Sequence, residues 1–344
     1  MKFILISSLC LFLHLPILGQ NYIPYYNEYS GEDFQFPIFR GTSNKYAVEK
    51  INQLLQISKL EILKGYEENN IFERVSYKEE DGNLIGGMMN IKFEVLSNTD
   101  KTLSIKFDLC VCGASCSYWI NYFNFNTGNG DLFQLSDLFS DEGYKQFSEY
   151  AAKKRTNVFR KNLVGVDSLF IANYIAIYGC YDDINFADFY IQNNSLFLDG
   201  NDCFTLNSIL ENINTVCEFQ INEIEPYLNA YGKSVFGLNQ DSVAKHQSKS
   251  LPQLFNGFIG KKQILLVINE YDNNNIVAYC FYAKEGKKTD LLGQVNEGIL
   301  TLEEKDTNFQ TIGAIKATYE GTTINGTWTD KKTGKSYKLW LTRK

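Results

Sequence analysis

From residue 255 onward the chain breaks into short stretches of alternating apolar and polar residues, separated by Asp, Asn and Gly turns. The stretches fall at 263–270, 276–282, 290–295, 299–304, 312–319, 323–329 and 336–342. Alternation with period two gives each strand one buried and one exposed face. Seven or eight strands in under a hundred residues point to a small antiparallel barrel or sandwich. Just upstream the periodicity is lost and Asn, Gln, Ser and Lys collect, which places a linker at 239–253 and an all-β domain at 254–344.

Earlier in the chain the periods are mixed. The segment 34–39 (FQFPIF) reads as a first strand, with Pro37 placing it at an edge. Gly41-Thr-Ser-Asn44 offers a helix start, Ala47, Ile51, Leu54, Leu55 and Ile62 recur at helical spacing, and Gly65 fits the stop. Ile91, Phe93 and Val95 alternate with polar neighbours; after a turn, Leu103, Ile105, Phe107, Leu109 and Val111 share one strand face. Ser104, Lys106, Asp108, Cys110 and Cys112 share the other. An aromatic strand at 118–125 and the turn Thr127-Gly-Asn-Gly130 close a hairpin onto 132–135. Ser140 and the acids after it start a helix that runs to about residue 163. Further on, 169–178 reads as a buried helix, 206–213 as helical or irregular, and 188–198 and 217–221 as strands. The whole is an α+β chain: a mixed domain of antiparallel strands and packed helices at 20–238, divided at 100/101, then the β domain.

Lys2, the mostly apolar run 3–18 and the small Gly19 read as a secretory signal at 1–19. Ser7, Ser8, His14 and Pro16 interrupt that run, which falls short of the ~20 apolar residues a spanning helix needs. An uncleaved anchor is the alternative; a lipoprotein fits less well, because Cys10 lies inside the run. No later segment is long enough to span a membrane, so the expected mature chain has no transmembrane segment and is periplasmic or extracellular. Acids and bases are mixed along a chain of formal charge −7, with no basic stripe, which argues against nucleic acid as a partner.

Export changes how the cysteines read. Cys110, Cys112, Cys116, Cys180, Cys203 and Cys217 form an even set of disulfide candidates, and Cys280 reads as a buried free thiol. Cys110 and Cys112 point the same way ~6.6 Å apart along a strand, which suits two separate bridges. A Cys-only metal site competes with this, but only Cys112/Cys116 has zinc spacing; a redox pair would lack the Cys-x-x-Cys pattern. No metal or cofactor is expected.

Beyond the signal the chain has one histidine, His246, in the linker. That argues against Ser-His-Asp, Cys-His and His-ligated zinc chemistry and leaves an exposed linker side chain. Asp182-Asp183, Asp199/Asp202 and Glu223/Glu225 are acid clusters of the kind that cleave glycosides, but with 40 acids chance pairs abound, and such clusters also mark turns. No catalytic residue is assigned. The run Tyr118, Trp119, Tyr122, Phe123, Phe125 has two readings: strand core, or a contact surface for protein or glycan.

Several of these signals occur in a fixed order: Phe36-Pro-Ile-Phe-Arg-Gly41, Lys50-Ile51-Asn52, the paired strands and the aromatic strand. Phe125-Asn-Thr-Gly128, Leu135-Ser-Asp-Leu-Phe139, Glu223-Ile-Glu-Pro-Tyr227 and Gly232 follow. In this order residues 34–232 resemble an extracytoplasmic domain family. It is known from a lysozyme-responsive anti-sigma factor and from the non-catalytic half of a peptidoglycan deacetylase. Where that family has Gly-Gly-Ala-His, this chain has Cys112-Gly-Ala-Ser115-Cys116, so the role of that histidine does not carry over. The deacetylase's His-rich catalytic module has no counterpart. The resemblance implies an envelope-exposed binding or sensing domain whose partner is a muramidase-type protein or peptidoglycan. It implies the turn 112–119 as the contact region. With the contact-surface reading of the aromatic run, the candidate binding residues are Gly113, Ala114, Ser115, Tyr118, Trp119 and Tyr122. The last domain, with Ile324-Asn-Gly-Thr-Trp328 and Trp340, loosely resembles lipocalin- or avidin-like barrels, which implies a small ligand if the interior is wide and apolar. The expectation is thus an exported, non-catalytic binding protein. A carboxylate enzyme on envelope glycans and a ligand-binding barrel are the alternatives.

Overall fold

The computed structural model describes residues 33–40, 44–66, 71–78, 84–162, 181, 183–200, 203, 214–246, 250–272, 274–286, 288–306 and 308–344. The signal, the segments expected at 169–178 and 206–213, and Cys180, Asp182 and Asp202 lie outside the described residues.

Helix α1 (Lys45–Leu60) begins where the Asn44 side chain accepts from the Ala47 amide at 3.1 Å. It ends at Glu61, in the left-handed region at φ 54°, ahead of the expected Gly65. Its apolar stripe packs on an antiparallel sheet of β1 (Ser76–Lys78), β2 (Leu84–Asn98), β3 (Thr102–Cys112) and β4 (Cys116–Asn126), in that order. Ile91, Leu103, Ile105, Phe107 and Phe125 form the sheet side of this core. The strand expected at 34–39 is instead a set of isolated bridges, Phe34 pairing in parallel with Ile91. Pro37 has no amide hydrogen to extend a ladder. Asn52 holds the segment: its side chain accepts from Phe39 N and donates to Phe39 O, both at 2.8 Å. The expected division at 100/101 falls in the turn between β2 and β3, which pair along their length, so the two halves share one sheet.

The polar face of β3 and β4 is covered by a second antiparallel sheet, β5 (Asp188–Gln192), β6 (Ser195–Asp199) and β7 (Val216–Phe219). The single strand expected at 188–198 is a hairpin, turning at Asn193 and Asn194 with φ of 49° and 61°. Ser104 is fully buried because its hydroxyl bonds the Asn124 side chain at 2.7 Å and accepts from the Ile191 amide. Helix α2 (Asp141–Asn162), capped by Ser140, sets Phe147 and Ala151 against Leu196, Leu198 and Phe219 in a second core.

Strands β8 (Gln253–Ile259), β9 (Lys262–Asp272), β10 (Asn275–Tyr282), β11 (Lys288–Asn296), β12 (Ile299–Lys305), β13 (Thr311–Tyr319), β14 (Thr323–Asp330) and β15 (Ser336–Arg343) close into an antiparallel barrel. Of the two β architectures open in the sequence, the barrel is the one formed. Phe255, Leu266, Ile276, Leu291, Leu302 and Leu339 are among the side chains that fill its interior, as expected for eight strands. Gly326 faces so close a strand that a Cβ there would collide with the Lys316 carbonyl oxygen.

The barrel is not tethered loosely. Leu254, Leu265, Val267, Tyr279 and Phe281, on its outer face, belong to the same core as α1. Polar ties reinforce that seam. Lys50 Nζ donates to Asp131 Oδ1 and to the Lys344 backbone oxygen, both at 2.5 Å, and Tyr66 donates to Ala283 O at 2.5 Å. The expected linker is likewise strapped down: Val243 enters the second core, and Asn126 and Asn129 donate to the Val243 and His246 carbonyls, each at 2.6 Å.

Candidate functional site

The β3–β4 hairpin extends past the elements that bury its base. Directly opposed residues share a face, and the register pairs Leu109 with Trp119, Cys110 with Tyr118, Val111 with Ser117 and Cys112 with Cys116. Leu109 and Cys110 are buried, yet Val111 is 38%, Trp119 43% and Tyr118 79% exposed. Burial is therefore lost on both faces within one pleat. Gly113, Ala114 and Ser115 form the exposed tip, with Gly113 N donating to Ser115 O at 3.0 Å. A disulfide between Cys112 and Cys116 closes its base. The β1–β2 hairpin ends beside it, Gly87 pairing with Cys112, and adds the exposed Tyr77 and Ile85.

Five of the six expected contact residues thus sit together at the tip; Tyr122 does not. Its hydroxyl donates to Asp199 Oδ2 at 2.7 Å and its ring stacks on Tyr190 at 4.9 Å, so it joins the two sheets. Burial, reinforced by Asp199, raises its phenol above the usual tyrosine range.

The six disulfide candidates do not all pair. Cys112 is bonded to Cys116, and Cys203 is also disulfide-bonded. Cys110 and Cys217 are free and buried, as is Cys280. Cys217 lies within the second core, where burial pushes its thiol up to about 11. Cys110 stands on the pleat next to Cys112, with 4.0 Å between sulfurs, and the sulfurs of Cys110, Cys112 and Cys116 lie within 4.8 Å of one another. With two of them bonded, only Cys110 keeps a thiol.

One described acid of each cluster is engaged in structure. Asp183 accepts from the Asn185 amide at the head of a short helical turn. Asp199, 2% exposed, accepts from Tyr122 and from the Thr215 hydroxyl. Burial acts to raise Glu223, but hydrogen bonds from Lys154 (2.7 Å) and Tyr150 (2.5 Å) outweigh it and hold the carboxyl below its ordinary range. His246 is not an exposed linker residue. It stacks on Tyr231 at 3.8 Å, with Nε2 3.6 Å from Asp137, which also accepts from the Ser250 hydroxyl at 3.2 Å. The carboxylate stands in the middle of that group, so the imidazole is not placed to activate the serine.

Outside the tip, a 610 Å³ open cavity lies at one end of the barrel, lined by Lys262, Tyr282, Glu304, Trp328 and Lys331 among others. Glu304, 2% exposed, accepts from Tyr282 at 2.9 Å and from the Trp328 indole at 2.6 Å. Two of its lining residues, Tyr282 and Trp328, pack against the filled barrel interior. Neither a protein-family model nor a curated protein matches the chain.

Proposed function

We propose that the chain is an exported, non-catalytic binding protein of the cell envelope that docks a muramidase-type protein through the disulfide-closed hairpin tip. The observation that carries this is that Tyr77, Ile85, Val111, Tyr118 and Trp119 are all exposed at the same end of one sheet, Tyr118 and Trp119 on its opposite faces. Exposed aromatics gathered on a rigid support are the usual anchors of protein interfaces. A disulfide at the tip accords with an oxidising compartment, and the net charge of −7 favours a cationic partner. The residues behind the family resemblance have structural work here: Asn52 pins Phe39, Asn126 ties the Val243 carbonyl, and Glu223 caps a helix turn. That work suits a domain kept for presenting a surface.

The reading is tested by titrating a lysozyme-type muramidase, and separately purified peptidoglycan, into the whole exported chain. Saturable binding of the muramidase, weakened at least about tenfold in Tyr118→Ala/Trp119→Ala, is the expected result. Binding to peptidoglycan alone, or muramidase binding unchanged in the double variant, would reject it.

A further inference from the structure

The hairpin tip holds three sulfurs where a bridge needs two. Cys112 and Cys116 are bonded, and the Cys110 sulfur lies on the same strand face, 4.0 Å from that of Cys112. The other free thiols among the described residues, Cys217 and Cys280, are buried in separate cores. Thiol–disulfide exchange needs a thiolate close to a disulfide sulfur and a leaving sulfur with somewhere to go. A thiol and a leaving sulfur are both at hand, Cys110 at 8% exposure and Cys116 at the exposed tip. Because all three sulfurs lie within 4.8 Å of one another, Cys110 stands beside the S–S bond and attacks in line only after a side-chain rotation.

We propose that Cys110, Cys112 and Cys116 form a thiol–disulfide exchange site that moves a reactive thiol from the base of the hairpin to its tip. The Cys110 thiol loses its proton to solvent and attacks Cys112 Sγ. The Cys110–Cys112 bond forms, the Cys112–Cys116 bond breaks, and the electron pair leaves on Cys116 Sγ, which takes up a proton. One thiol and one disulfide stand on each side, so no oxidant or reductant is consumed. Residues two apart on a strand are ~6.6 Å apart at Cα, near the wide limit of ~6.8 Å for a disulfide. The structure holds the Cys112–Cys116 isomer, so the rearranged one is taken as the minor species. In that isomer Cys116 lies two residues from Tyr118, beside any protein docked on the tip. Its thiolate attacks a disulfide of that protein: a mixed disulfide with Cys116 forms, the partner's S–S bond breaks, and the partner's second sulfur leaves as thiolate. This last step rests on the docking reading; the rearrangement does not.

The test uses the whole chain, folded and never reduced, incubated with iodoacetamide and then digested under non-reducing conditions. Alkylation traps the minor isomer, so Cys116 is expected to become labelled while a peptide bridged between Cys110 and Cys112 accumulates. Glutathione disulfide in place of iodoacetamide is expected to leave a glutathione adduct on Cys116 with the same bridge. Cys110→Ser is expected to slow labelling of Cys116 at least about tenfold. The bridge in the wild-type digest decides the matter whatever the stability of the variant. If Cys116 stays unlabelled and only the Cys112–Cys116 linkage is recovered, or if Cys110→Ser labels at the wild-type rate, the proposal is overturned.

Discussion

Lys59 shows how one side chain can carry a pH dependence for the fold. It sits near the end of α1 with its ammonium over the Phe123 ring at 5.0 Å and bonded to the Asn121 side chain. Burial lowers its pKa from 10.5 to about 8, an effect that Asp188 partly offsets. Because the folded pKa lies below the unfolded one, the unfolded chain binds more protons between those values, and stability rises with pH there. The cost of the buried charge is complete below about 8 and fades as pH climbs toward 10.5. Lys59→Met is therefore expected to be more stable than wild type at neutral pH by on the order of 1–2 kcal/mol, with the gap closing in alkali. Denaturant melts at neutral and alkaline pH read this directly; a gap that stays constant or widens with pH contradicts it. That this lysine would be half-buried was not legible in the sequence. At residue scale the sequence revealed the apolar stripe of α1, but not that β4 and Asp188 would close over its polar end.

Among the elements, the barrel strands were the most legible, because period-two alternation and turn residues act locally. The segment 34–39 was less so: its aromatics read as a strand, but a proline and the side chain of Asn52 made it a strap. The role of Glu304 was invisible, since its partners lie on other strands. It joins β12 to Tyr282 on β10 and to Trp328 on β14, opposite Gly313, where a side chain would meet the indole. Glu304→Ala strands two donors at the barrel end and is expected to cost about 2–3 kcal/mol, with Glu304→Gln losing less because one acceptor remains. Thermal unfolding of the two variants checks this. Equal stability of Glu304→Ala and wild type would mean that the carboxylate does not hold these strands.

For the whole molecule, the boundaries expected at 100/101 and 239–253 do not separate independent bodies. A composition shift marks where a chain changes style, whereas cohesion depends on which outward faces are apolar, and that becomes visible only when the elements meet. Phe281 faces away from the barrel interior and is fully buried in the core of α1. Phe281→Ala is expected to cost about 3–5 kcal/mol and to lower a single transition seen alike by helix signal and by tryptophan fluorescence. Two separated transitions in the wild type would refute this shared core. The candidate site was partly legible: exposure of Tyr118 and Trp119 follows from the hairpin overrunning its cover, while Tyr122 lies on the same strand but under β5.

On the proposed function, the tip, held by the body of the molecule, is where a partner docks. Backbone hydrogen exchange of the whole chain, with and without a saturating lysozyme-type muramidase, tests it most directly. The expected result is slower exchange at 112–119 and in the adjoining β1–β2 hairpin, with the barrel unchanged. Protection confined to the barrel end around Glu304 and Trp328, or no protection anywhere, would contradict the claim.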